Sequence, residues 1–124
     1  MDKKKSEHFR KKLLELRSQL LNRSHMKSQE HLRLSPEDLT DESDHAAAVI
    51  QQSLALNVQE RDRWMLKEVD HALSKFEDNT YGICEDTEEP IDEARLEAEP
   101  FTRYSVEAAE LREKKAKRYA NFGT

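Results

Sequence analysis

"DHAAAVIQQSLALNVQERDRWMLKEVDHALSKFED", residues 44–78, holds neither glycine nor proline. At about 1.5 Å per residue, a helix of that span exceeds about 50 Å. Ile50, Leu54, Val58, Met65, Val69, Leu73 and Phe76 trace an apolar seam along it at helical spacing, broken by the charged Arg61, Asp62 and Arg63. In a chain of 124 residues, a rod of this length leaves little room for a globular body. The pattern therefore predicts a mainly α protein organised around one long helix.

The rod needs a partner, because an amphipathic helix buries its seam only against another element. Upstream, Phe9, Leu13, Leu16 and Leu20 repeat at steps of four and three, widened by Leu14 and Leu21. Beyond Leu21 the stripe thins to Met26. Between the two segments lies "LSPEDLTDESD", where Ser35 and Pro36 mark a helix start and the acids cluster. Helix, acidic turn, longer helix is most economically folded as an antiparallel coiled-coil hairpin, residues 1–33 against 44–78, with residues 34–43 as its acidic tip.

Composition agrees with narrow seams rather than a thick core. Charged residues make up 38% and hydrophobic ones 35%, and the mean hydropathy is -1.01. Two glycines and three prolines are too few for a β-rich fold with many tight turns. A net charge of -5 does not support nonspecific binding to DNA. One cysteine excludes an internal disulfide. No apolar run approaches the roughly 20 residues that span a bilayer, so a soluble cytoplasmic protein is expected.

After the rod, "EDNTYGIC" supplies turn residues in Asn79 and Gly82. Residues 85–99 are dominated by acids, with Pro90-Ile91 as a short strand and residues 94–97 as an irregular return. A last helix is expected from about Ser105 to Ala120, with cations crowding its C-terminal half where the helix dipole favours them. Residues 79–104 and 105–124 thus form a small globular region and a C-terminal helix.

Two motifs now carry a resemblance. "YGICEDTEEPIDEARLEAEP" followed by "YSVEAAE" is similar to the finger of the DksA/TraR family, whose usual form is close to YGxCxxCGxxIxxxRLEARPxxxxCxxC. Tyr81, Gly82, Cys84, Ile91, Arg95, Leu96, Glu97, Ala98 and Pro100 stand in matching places. "DESDHA" resembles the family's acidic D-x-x-D-x-A tip, through Asp41, Asp44 and Ala46. The resemblance covers nearly the whole chain in the right order. It implies a non-enzymatic transcription regulator that binds bacterial RNA polymerase through the secondary channel as a monomer. The tip acids would act near the catalytic centre, without direct DNA contact and without a membrane.

The departures are equally specific. The four zinc positions read Cys84, Thr87, Ser105 and Ala108, a degenerate zinc finger. Hydroxyls are poor ligands for zinc, which takes thiolate or imidazole, so no metal and no cofactor is expected. The turn would be kept for shape, packed by Phe76, Tyr81, Ile91, Leu96, Phe101 and Tyr104. This corresponds to a zinc-independent branch of the family. The resemblance also implies a role in the stringent response with ppGpp as effector, but Glu99 and Ala109 stand where cations would hold a polyphosphate, which weighs against it.

Each candidate has a plainer reading beside it. Asp41 and Asp44 could simply cap helices. Cys84 could sense redox state, yet the neighbouring Glu85 and Asp86 would raise its pKa and slow it. Arg61, Arg63 and Trp64 are a solvated run or, given the resemblance, the contact with the polymerase rim. The five histidines show no ligand spacing. Two rival functions remain: a transcript-cleavage cofactor of the Gre type, whose tip acids would hold a second Mg²⁺, and a coiled-coil interaction protein with no polymerase role.

Overall fold

Thirty-one residues without a helix breaker form α1, Lys3–Arg33. Asp2 opens it, its Oδ1 accepting from the Lys5 amide at 2.8 Å. Phe9, Leu13 and Leu20 on its inner face are buried. The long helix α2 runs Glu42–Ser74, a turn shorter at its end than the sequence pattern suggests. The computed structural model describes residues 1–33 and 42–122, with side chains described for 1–24 and 44–120. The helix start at Ser35 and the tip residue Asp41 lie outside the described residues.

The two helices are antiparallel. Arg17 Nε donates to Asp70 Oδ1 at 2.8 Å, and Arg23 reaches Asp62 at 4.0 Å, so partners on α2 recede as α1 advances. Val69 and Ala72 are buried between them, with Met65, Leu66 and Leu73 packed around. This proximal half closes as a seam should. The distal half does not: Ile50, Leu54 and Val58, expected in the seam, are exposed. The row of α2 turned to α1 passes instead through half-buried Ala48, Ala55, Gln59 and Asp62. Small and polar residues face α1 there, so the larger side chains are left outside.

Past Ser74 the chain turns tightly, Thr80 donating its amide to the Lys75 carbonyl at 2.9 Å while Asn79 takes a left-handed φ of 58°. Pro90-Ile91 is not a strand: a single bridge joins Ile83 and Pro90, and the described residues contain no strand beyond it. The return at residues 94–97 is regular rather than irregular. It is the short helix α3, Glu93–Ala98, capped by Asp92, which drives Leu96 into the core. Tyr81 and Ile91 are buried beside Leu96, with Phe76, Phe101 and Tyr104 packed against them. The Phe76 and Tyr81 rings stack at 4.2 Å, and the Tyr81 hydroxyl donates to the Pro100 carbonyl at 2.8 Å. The last helix, α4, Val106–Phe122, begins at Ser105, whose Oγ accepts from the Ala108 amide at 3.3 Å. Residues 111–120 are all exposed, so α4 projects from the body.

Candidate functional site

The knuckle around Cys84 is built by backbone. Gly82 takes φ +83°, and the Ile91 amide donates back to its carbonyl at 2.7 Å. The Cys84 amide then donates to Glu89 O at 2.8 Å, and Glu88, at φ 58°, donates to Cys84 O at 2.9 Å. This hairpin turns residues 84–88 around the sulfur. Cys84 is 1% exposed, and the Ser105 amide donates to its Sγ at 3.4 Å. Burial pushes the thiol pKa up, but hydrogen bonds from the Thr87 hydroxyl and from the amides of Ser105, Thr87 and Asp86 outweigh it and hold the pKa at about 6. The expectation that Glu85 and Asp86 raise it is overturned. Their charges are spoken for: Glu85 meets His71 and Lys75, and Asp86 accepts both guanidinium nitrogens of Arg112 at 2.6 Å.

The four positions of the degenerate finger do come together in part. Cys84 and Ser105 are in contact, and Ser105 caps the helix that carries buried Ala108. Thr87 Oγ1 accepts from the Glu89 amide at 3.4 Å. One sulfur, two hydroxyls already used in local hydrogen bonds and one methyl do not fit a tetrahedral zinc ion. Among the described residues, no group of three His, Cys, Asp or Glu side chains is placed to hold a metal.

A set of ion pairs that sequence reasoning missed ties this finger to both rod helices. From α1, Lys5 Nζ meets Glu93 at 2.6 Å, His8 Nε2 lies 2.8 Å from Glu97 Oε1, and Lys12 Nζ donates to Glu97 Oε2 at 2.7 Å and to its carbonyl at 2.6 Å. From α2, His71 and Lys75 meet Glu85 at 2.6 and 3.3 Å, and Glu68 takes a two-pronged bond from Arg103 at 2.7 and 3.0 Å. Lys12 and His8 hold the Glu97 carboxyl below the usual carboxylate range. Partial burial would raise Glu85, but its bonds to His71 and Lys75 lower it. The only hint in the sequence is helical spacing, cations at 5, 8 and 12 and acids at 93 and 97. Nothing in one sequence says that those two rows meet.

The remaining candidates separate. Asp44 and Ala46 are exposed on the first turn of α2, at the end of the rod away from the finger. Trp64 is 54% exposed and leans edge-on against Phe101, ring centroids 6.0 Å apart at 89°. Arg61, one turn earlier, shares its side of the helix. Arg63 does not: it lines a cleft of about 210 Å³ between the rod helices with Leu20, Leu21, Gln59 and Leu66. Glu99 is exposed and ends α3, its amide bonded to the Arg95 carbonyl at 2.8 Å.

Comparison with known proteins agrees with this architecture. The family model of the DksA N-terminal domain matches residues 5–76, and that of the prokaryotic dksA/traR C4-type zinc finger matches residues 79–114. The chain belongs to the DksA family. It is 37% identical over 115 residues to the RNA polymerase-binding transcription factor DksA of Caulobacter vibrioides, covering 93% of this chain and 80% of that protein. It is 35% identical over 113 residues to general stress protein 16O of Bacillus subtilis, covering 87% and 68%. The solved structure of transcription factor DksA2 from Pseudomonas aeruginosa superimposes with a TM-score of 0.78 at 33% identity, covering 94% of this chain and 89% of that one. As a member of the DksA family, the chain departs from its C4 finger by retaining one of four cysteines. Among the described residues no helix is long and apolar enough to cross a membrane.

Proposed function

We propose that this chain is a cytoplasmic, non-enzymatic regulator that binds bacterial RNA polymerase through the secondary channel and modulates transcription initiation without structural zinc. The observation that carries this reading is the placement of Asp44 and Ala46. They stand exposed at one end of α2 while every tie to the finger lies toward the other. From Asp44 to His71 along α2 that separation is about 40 Å. A narrow rod of this length can carry a carboxylate into a pore while a body too wide to follow stays at the mouth. There the acid can bias Mg²⁺ or basic catalytic groups electrostatically. Asp41, three residues before Asp44 in the sequence, is assigned to the same function, and the Trp64–Phe101 pair with Arg61 forms the rim contact, an exposed aromatic anchor beside a cation. Glu99 on the finger surface argues against ppGpp as a co-effector, because a carboxylate repels a polyphosphate.

In vitro transcription with purified polymerase tests the reading. Asp44→Asn is expected to leave folding and polymerase binding intact and to remove the effect on promoter complexes. Unchanged regulation by the variant would sink the tip assignment, and shortening of RNA in stalled complexes would point to transcript cleavage instead. The zinc-free finger is tested separately. Elemental analysis of purified protein is expected to find far less than one zinc per chain, and unfolding by a chelator would contradict it.

A further inference from the structure

Residues 46–59, "AAAVIQQSLALNVQ", carry no charged side chain in a chain that is 38% charged. The same stretch concentrates five large apolar groups left in water: Val49, Ile50, Leu54, Leu56 and Val58. α1 does not cover them, because the row of α2 turned toward α1 is Ala48, Ala55 and Gln59, which are half-buried. About 115° around the helix from that row, Ala47, Ile50, Leu54 and Val58 form a separate exposed stripe at steps of three and four. Asp44 flanks its N-terminal end and Arg61 closes the other; both are exposed, and neither makes an ion pair among the described residues.

The stripe is complementary to itself when reversed. Laid antiparallel against a second copy in one register, Asp44 falls opposite Arg61 and Ala47 opposite Val58, while Ile50 and Leu54 of the two copies lie within one residue of facing each other. Small meets large, acid meets base, and no like charges are brought together between the ends. An isologous two-fold contact repeats each of these pairs twice, and antiparallel helices also oppose their dipoles favourably. We propose that the distal half of α2 is a self-association surface, and that its partner is a second copy of this chain paired antiparallel through Ile50, Leu54 and Val58. This departs from the monomer expected from the sequence. It does not rest on polymerase binding.

Sedimentation of the purified full chain across a wide concentration range tests it, with circular dichroism to confirm that variants stay helical. The wild type is expected to pass reversibly from monomer to dimer. Leu54→Glu, at a position 60% exposed, is expected to leave helix content unchanged and abolish the dimer. Asp44→Arg and Arg61→Asp are each expected to weaken dimerisation about tenfold, because the two-fold contact holds that pair twice. The doubly reversed chain is expected to recover wild-type affinity. A monomer at every concentration, a Leu54→Glu dimer, or no recovery in the double reversal would each overturn the proposal. Because polymerase is absent from the experiment, its outcome is independent of the function proposed above.

Discussion

Around Val69, α2 is walled in by Phe9, Leu13 and the finger; around Leu54, fifteen residues earlier, the same helix lies bare. The proximal half is held by interlocked apolar side chains and a ring of ion pairs from both rod helices to the finger. The distal half has Ala48 and Ala55 toward its neighbour and its bulk turned outward. The two halves differ in the side chains of the facing row, Met65, Val69 and Leu73 near the finger against Ala48, Ala55 and Gln59 beyond it. Stability is concentrated where the finger docks, and the distal rod is a surface built to meet something else.

The sharpest way to break this comparison is a pair of truncations. Leu96→Ala removes a fully buried side chain beneath the finger and is expected to cost about 2 to 5 kcal/mol in urea unfolding. Leu54→Ala, at an exposed site, is expected to change stability by about 0.5 kcal/mol or less in dilute solution. Equal costs would mean that the distal seam is closed. Next in size, Gly82→Ala forces a side chain onto a φ of +83° and brings its Cβ to 2.7 Å from Met1 Cε. A cost of about 1 to 2 kcal/mol is expected, with the melting temperature lowered accordingly. The smallest effect is that of acid. Glu85 and Glu97 have folded pKa values lowered from 4.5. Their contribution is therefore present above about pH 4.5 and is lost as pH falls through the folded values. Melting temperature should hold steady near neutrality and fall below that point, less steeply in Glu85→Gln.

Much of this was legible in the sequence, for identifiable reasons. The absence of glycine and proline from 44–78 gave the rod, and Phe9, Leu13 and Leu20 gave the face it packs on. The finger core was readable because its aromatic and aliphatic residues are few and have nowhere else to go. The exposed distal seam was not, because Ile50, Leu54 and Val58 keep the correct period whatever lies opposite them. Periodicity reports that a face exists, not what covers it. The state of Cys84 was misread for a related cause: sequence neighbours suggested negative charge, whereas the folded turn aims amides and a hydroxyl at the sulfur and hands Glu85 and Asp86 to cations elsewhere. The ties from Lys5, His8 and Lys12 to α3 span more than eighty residues, beyond the reach of any local rule.

Because the finger grips α1 through Glu93 and Glu97 and α2 through Glu85 and Arg103, it works on the rod as a hand works on an oar. A rotation of about 5° at that grip would sweep the far end of a shaft of about 40 Å through about 3.5 Å. Small repacking beneath Leu96 is thereby geared up into a displacement larger than a hydrogen bond is long. Whatever presses on the finger steers Asp44.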